Sequence, residues 1–558
     1  MTRQQMLASV LVCGVLAGCA LQVPAPVEDA KPVPVVQSSD PGLLLIGKVV
    51  TMNDAGDVLV GARLWIRAGR IEAIVRAGEL LPAGAERARS IDTGGVLYPG
   101  MIDLHNHPEY AIYPLLSIPR AYKDRYEWRF YDDAYNLRIT APNVVLAGAD
   151  YYNLALEIGR YGEYKAIVGG TTTLQGGRNN LPYSTSECLV RNIENSKVGP
   201  RLATSRVDIG RDALEWADLL RARNSGLLVL HLAEGPSARM AGEYEAIRKS
   251  GLIGPELIAI HGVGLTGDQF KDMAAQGVKL VWSPLSNFLL YARTADVAAA
   301  RHAGVGISLA PDWAPSGSKS ILGELKVADL VNKHQLNGLF TDRELVDMVT
   351  RKPAEAMGWK DLAGQLAPGF VADLVVMDDR HADPYRNLIE AIEENVRLLA
   401  VRGELLYGDQ ALMANVRVTG DTETAVTFGG NRIKVLAPNC PGSGLPVMSL
   451  MEVKTRLQRG LSMDADFLLQ QVQSKPDAAR RITADLSGCP GGSPAGALTR
   501  EDMTRVLGCR FKLPFEKTTL SPLATNEDAE WMPRLLANPN IPGYLKTLPD
   551  YYKTRPGP

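Results

Sequence analysis

Two histidines separated by one residue, at the end of an apolar run, constrain this chain more than any other feature. The segment reads Pro99-Gly-Met-Ile-Asp-Leu-His-Asn-His107 and follows the β-formers Gly95-Val96-Leu97-Tyr98. In an extended strand, side chains at i and i+2 leave on the same face. His105 and His107 are therefore expected to point together at one place, close enough to share a metal ion. Such a pair is weak evidence alone, because short motifs match by accident. Its weight comes from what lies downstream.

Three further apolar runs end in a polar residue able to bind metal. Leu227–Leu232 carries His231, with Glu234 just beyond; Leu257–His261 ends in His261; and Val305–Asp312 ends in Asp312, followed by Trp313. Only seven histidines are present, and four of them occupy such positions. Helical stretches such as Asp268–Gln276 and Thr294–His302 separate the strands. Strand-then-helix alternation predicts an α/β fold of the (β/α)8 or TIM-barrel type, whose C-terminal strand ends share one face. Each residue alone has a plainer reading: His231 as a satisfied core histidine, Glu234 as a solvated acid, Asp312 or Asn287 as turn residues. Together they would need several coincidences in the right order.

The Pro-Gly-x-Ile-Asp-x-His-x-His start, Gly170-Thr-Thr-Thr173, His231-Leu-Ala-Glu234, His261, Ser283-Pro-Leu-Ser-Asn287 and Ala310-Pro-Asp312 resemble the amidohydrolase superfamily. The pattern is most similar to its mononuclear branch, which includes cytosine deaminase, adenosylhomocysteine-type deaminases and triazine hydrolases. The resemblance covers roughly residues 43–408. It implies that His105, His107, His231 and Asp312 hold one divalent metal, and that Glu234 and His261 serve substrate and water. No lysine lies on an obvious strand end between Gly170 and His231, which argues against a carbamate-bridged binuclear centre.

The residue types suit those roles. Three imidazoles and a carboxylate match zinc, with ferrous iron as the alternative. A bound metal lowers the pKa of its water towards ~7 and so generates hydroxide. Asp312 can ligate and accept a proton, His261 can polarise water or an oxyanion, and Glu234 can protonate a leaving nitrogen. The expected reaction is hydrolysis of a non-peptide carbon–nitrogen bond, with hydroxide attacking a cyclic amidine. Hydrolysis of an amide, carbamate or lactam is the alternative, and a lyase or isomerase using the same metal stays open. From another class comes a non-catalytic envelope lipoprotein, which would tolerate loss of these ligands. Trp313 and Asn287 are candidate substrate contacts. Trp313 is expected either to wall the pocket or to pack on a neighbouring helix.

The N-terminus carries a separate message. Arg3 precedes the apolar run Met6–Leu16, which ends in Leu16-Ala17-Gly18-Cys19. That arrangement reads as a secretory signal over residues 1–19. Its end resembles a bacterial lipoprotein signal, with Cys19 lipidated and Ala20 favouring the outer membrane of a Gram-negative cell. The plainer alternative is an ordinary secretory signal. Residues 20–42 are a Pro/Val-rich tether. Acyl chains would hold the protein at the periplasmic face of the envelope. With 60 basic and 62 acidic residues the formal charge is −2, so no basic surface for nucleic acid is expected. The expected partner is a small-molecule substrate, and an oligomer is left open. Among Cys440, Cys489 and Cys509, either Cys489–Cys509 or Cys440–Cys489 pairing is open, with one thiol left over.

At 558 residues, 46% of them hydrophobic, the chain can build more than one core. Short strands in 43–98 and again in 367–435 predict a small β-sandwich flanking a barrel over 99–366. Residues 436–558 form a mostly helical extension to which no chemistry is assigned. Between Thr173 and His231 one strand is expected, Arg201–Val207, where a regular barrel needs two. Either the second is short and irregular around Pro182–Ser186, or the barrel is distorted. Glu109–Ala141, rich in Tyr and Arg, either covers the pocket or is a surface helix with packed aromatics. Thr341–Met357 predicts a single helix with a capping box at Thr341 and Glu344.

Overall fold

The computed structural model describes residues 40–176, 189–194, 199, 203–208, 226–414, 424–428, 432–440, 445–494, 496–511 and 518–553. The expected signal 1–19 with Cys19, residues 20–39 of the tether, Pro182–Ser186 and Cys188 lie outside the described residues.

Four strands lie before Gly100: β1 (Leu43–Val50), β2 (Val58–Arg67), β3 (Arg70–Val75) and β4 (Arg89–Pro99). Eight more follow: β5 (Met101–Asp103), β6 (Thr171–Leu174), β7 (Arg191–Asn192), β8 (Ala203–Arg206), β9 (Leu227–Leu232), β10 (Leu257–His261), β11 (Lys279–Trp282) and β12 (Ile307–Leu309). The last five are β13 (Leu374–Asp378), β14 (Val396–Val401), β15 (Glu404–Asp409), β16 (Thr424–Phe428) and β17 (Arg432–Leu436).

The strands flanking the histidine region join into one nine-stranded sheet, ordered β16-β17-β15-β14-β13-β4-β1-β2-β3. Only the β1–β4 pair is parallel. Alternate residues of both halves, among them Leu45, Leu64, Leu97, Val376 and Leu398, share one buried cluster. That period of two is the signature of strands with one face in a core.

The inner strands are all parallel, in sheets β12-β11-β10-β9-β8 and β5-β6-β7. β9 and β10 are buried along their whole length, as expected of parallel strands covered on both faces. Helices Ala238–Lys249, Gly267–Ala275 and Val297–Ala303 alternate with them. At one seam the Ala203 N–H donates to the Ile193 carbonyl at 3.1 Å. At the other, Asn106 bridges Asp312 in parallel register. The fold is thus mixed α/β with a parallel inner layer.

Three expectations change. The second strand before His231 is β7, two residues long and away from Pro182–Ser186. The helix expected over Thr341–Met357 is two, Asp342–Asp347 and Arg351–Ala356, although the capping box of Thr341 and Glu344 forms as read. Pro353 has no N–H to give the Val349 carbonyl, which accepts from Ile102 N–H of β5 at 2.8 Å instead. Third, Cys489 pairs with Cys509 across the helices Pro476–Ser487 and Arg500–Phe511. Cys440 is disulfide-bonded as well, which removes the Cys440–Cys489 option and the leftover thiol. No helix among the described residues is long and apolar enough to cross a membrane.

One buried ion pair ties the two layers together. Arg191 of β7 donates from Nε to Asp373 Oδ2 at 2.5 Å and from Nη2 to Oδ1 at 3.2 Å, and both residues are buried. Removing one partner of such a pair strands the other charge. We expect Arg191→Met to lower unfolding stability by about 3 kcal/mol, read from urea denaturation followed by circular dichroism.

Candidate metal centre

His105, His231, His261 and Asp312 each offer a ligand atom, and these atoms all lie within 4.8 Å of one another. All four side chains are buried, and each comes from the C-terminal end of an inner strand. His107 stands at the rim, 23% exposed, with Nε2 3.7 Å from Asp312 Oδ1 and its ring centroid 5.0 Å from that of His105. The five expected side chains therefore meet, with His107 outermost.

The backbone is bent to bring them there. His261 has φ 71° and Asp312 has φ 70°. That left-handed region costs residues bearing a Cβ of order 1–3 kcal/mol and is concentrated at functional sites. Asp312 is held in it by its own N–H to the His105 carbonyl at 3.2 Å and by His107 N–H to its carbonyl at 3.0 Å.

Hydrogen bonds assign opposite tautomers to two of the imidazoles. Gln175 Nε2 donates to Glu194 Oε1 at 2.8 Å, so Gln175 Oε1 faces His105 Nδ1 at 3.3 Å and can only accept. The proton of His105 is therefore on Nδ1, and its Nε2 lone pair points inward, 2.8 Å from Asp312 Oδ1. His261 is reversed. Trp282 Nε1–H donates to Thr294 Oγ1 at 2.7 Å, and that hydroxyl donates to Asn287 Oδ1 at 3.2 Å. The Asn287 amide N–H therefore donates to His261 Nδ1 at 3.0 Å, leaving the ring proton on Nε2. His105 thus turns a lone pair towards the centre, whereas His261 turns an N–H towards it.

Electrostatics agree. Burial pushes the His261 imidazole down to about 3 and His231 well below its ordinary range, so both are neutral. Burial alone would push the Asp312 carboxyl up. The adjoining His105, with His261 and His107, outweighs it and holds Asp312 ionised, well below the usual carboxylate range. Glu234 lacks such a partner: burial pushes it up to about 7, against the pull of Arg125.

A divalent metal fits this donor set. Two buried imidazole atoms, His105 Nε2 and His261 Nε2, have no hydrogen-bond partner, an arrangement costly to leave unmet. A cation beside the His105 lone pair and the Asp312 carboxylate would satisfy the first. Asp312 Oδ2 already accepts from Ser286 Oγ at 2.6 Å, which fixes the carboxylate plane.

The remaining candidates are placed as follows. Asn287 is fully buried, and its amide is engaged by His261 and Thr294. Trp313 stacks on Trp128 at 5.5 Å and sets its edge against His107 at 6.3 Å. Glu234 Oε2 lies 3.7 Å from His261 Nε2. Gln175, Ser286 and Tyr291 were not singled out from the sequence, although Ser286 lay inside the quoted motif. For Gln175 the available signal was its place at the end of the Thr171–Leu174 run.

Comparison with known proteins now has a geometry to meet. Residues 222–406 match the amidohydrolase family. A 5-methylthioadenosine/S-adenosylhomocysteine deaminase of Pyrococcus abyssi is 28% identical over 247 residues, 40% of this chain and 56% of that protein. The corresponding deaminase of Syntrophobacter fumaroxidans is 26% identical over 421 residues, covering 67% of this chain and 95% of that one. Over residues 222–406 the chain is similar to the amidohydrolases. Among solved structures, a zinc-bound adenosine deaminase from Xanthomonas campestris aligns with TM-score 0.51 at 19% identity, over 67% of this chain and 97% of that chain. Atrazine chlorohydrolase from Arthrobacter aurescens, complexed with zinc and atraton, aligns with TM-score 0.54 at 19% identity, over 65% and 95%. These two structural likenesses concern the fold alone, a TIM-barrel-type α/β architecture. The chain's own residues supply a His/His/His/Asp metal-binding site.

Because Gln175 sets the tautomer of His105, Gln175→Leu should keep the fold and weaken metal binding ten- to a hundred-fold, the usual range for such supporting residues. Competition with a chromophoric chelator measures it.

Proposed function

We propose that this chain, a hydrolase of carbon–nitrogen bonds, is a metal-dependent amidohydrolase that deaminates small heteroaromatic amines. Water adds to an amidine-type ring carbon, and the exocyclic nitrogen leaves as ammonia. The observation that carries the reading is the face-to-face placement of Glu234 Oε2 and His261 Nε2 at 3.7 Å, beside Asp312. Names of the relatives, deaminases of methylthioadenosine and adenosylhomocysteine, support a purine-like ring as substrate.

His105, His231 and Asp312, with His107 at the rim, are the residues that would hold the metal. Zinc is the expected ion and Fe(II) the alternative. When bound, such an ion makes water acidic enough to act as a nucleophile near neutral pH. His261 presents Nε2–H to the oxygen that enters the ring carbon and binds it as charge develops. Asp312, ionised, is placed to accept a proton from the attacking water. Glu234 titrates near neutrality, so it can hold a proton and pass it to the leaving nitrogen. Trp313 and Trp128 wall the site with apolar surface.

Two structural readings belong to the same proposal. The two inner sheets are one closed (β/α)8 barrel, supported by one hydrogen bond across the β7–β8 seam and two across the seam at Asp312. The chain is a lipid-anchored protein of the bacterial envelope, on the periplasmic face, supported by the sequence Leu16-Ala17-Gly18-Cys19. Under that reading Cys19→Ser releases the protein from membranes, and continued lipid labelling of the variant would refute the anchor.

The reaction is tested by ammonia release from a panel of aminopurines and aminopyrimidines, with metal content measured alongside. Asp312→Ala should lose metal and turnover together. Glu234→Gln should keep the metal while turnover falls by roughly 10²–10⁴. Turnover of amides or carbamates with no ammonia from any heterocycle would replace the deaminase reading with the amide-hydrolase one.

A further inference from the structure

The reading of Glu234 as a proton donor leaves open what aims it. A carboxylate has two equivalent oxygens, and only one faces His261. The other meets a chain of two donors. Tyr291, the last residue of the helix Pro284–Tyr291, sends its hydroxyl to Glu234 Oε1 at 2.6 Å. The indole Nε1–H of Trp128 donates to that same hydroxyl at 2.9 Å. All three side chains are buried.

An indole N–H can only donate. Trp128 therefore occupies an acceptor position of the Tyr291 oxygen and turns the phenolic proton away from itself, towards Glu234. Oε1 is tied, and Oε2 is the oxygen left on the side of His261. The two donors come from separate segments of the chain. Trp128 belongs to the helix Arg125–Tyr131 in the segment after β5, and Tyr291 to the helix after β11. Asp124 caps the first helix, accepting from the N–H groups of Tyr126 and Glu127. Arg125 N–H also donates to the Glu234 carbonyl at 3.1 Å.

We propose that Tyr291, locked by Trp128, is the positioning residue for Glu234: it selects which carboxylate oxygen faces the reacting nitrogen. The inference rests on Glu234 being the proton donor. It adds a device that belongs to this chain, in which the segment over the site and the helix after β11 jointly set the acid's orientation.

The test compares wild type, Tyr291→Phe and Trp128→Phe by metal content, by steady-state kinetics on a heterocyclic amine that the wild type deaminates, and by crystal structures. Tyr291→Phe should bind metal as wild type does and keep KM, while kcat drops roughly ten- to a hundred-fold, the effect of one hydrogen bond to a charged group. Trp128→Phe keeps an aromatic ring against Trp313 but lacks the N–H, and should lower kcat in the same direction by less. In crystals of Tyr291→Phe, Glu234 should leave its wild-type rotamer or occupy more than one. Unchanged kcat, a loss confined to KM, or a Glu234 rotamer identical to wild type would overturn the proposal. If Tyr291→Phe does not fold, Trp128→Phe decides by the same readouts. If the wild type deaminates no heterocycle, the deaminase reading falls, and the Glu234 rotamer in the crystals still decides the positioning claim.

Discussion

A buried carboxylate that must stay ionised governs this structure. Asp312 sits among three histidines at the site centre, out of contact with bulk water, where an isolated charge would cost several kcal/mol. Its two oxygens are each assigned: Oδ1 to the His105 side and Oδ2 to the Ser286 hydroxyl. Its backbone is held in a left-handed conformation by hydrogen bonds to His105 and His107. Those same bonds join the end of the last inner strand to the first. The chemical centre and one structural seam are the same few atoms, so displacing Asp312 disturbs both.

Around that charge, outer hydrogen bonds divide the labour among chemically identical rings. Gln175 makes His105 a lone-pair donor towards the centre. Trp282, Thr294 and Asn287 act in series to make His261 a proton donor towards the same place. The direction of each chain is fixed by a group that can only donate or only accept. Ser205 Oγ, donating to Glu194 Oε1 at 2.6 Å, extends the Gln175 chain to β8. Parts of the molecule far from the site in sequence thereby determine which nitrogen of each ring carries its proton.

What could be read from the sequence follows the same logic. His105, His107, His231, His261, Glu234 and Asp312 were legible because strand ends in a parallel α/β fold converge, and because histidine is scarce in this chain. Parallel strands β9 and β10 were legible as unbroken apolar runs. β7 was not, since two residues carry no periodicity and are placed by their neighbours. The break near Val349 had a local signal in Pro353, but Ile102, which takes the freed carbonyl, lies some 250 residues away. Gln175 and Tyr291 escaped notice because polar residues near strand and helix ends are common, and their partners are distant in sequence. Asn287 drew attention as a substrate contact, while its amide engages His261 and Thr294.

The segment after β5 can now be assigned mechanically. Arg125 is buried and donates to Glu243 at 2.9 and 2.6 Å. Glu243 Oε2 also accepts from the N–H of Ala233, next to Glu234, at 2.9 Å. Lifting the helix Arg125–Tyr131 would break that bidentate pair in the interior, at a cost of about 3–5 kcal/mol. It would also remove the Trp128 N–H from Tyr291 and the Arg125 N–H from the Glu234 carbonyl. An open form of that kind would be populated below about one part in a hundred, since each 1.4 kcal/mol is a factor of ten. The helix is a fixed wall beside Glu234, not a lid, and it helps hold the Glu234 carboxylate in one orientation.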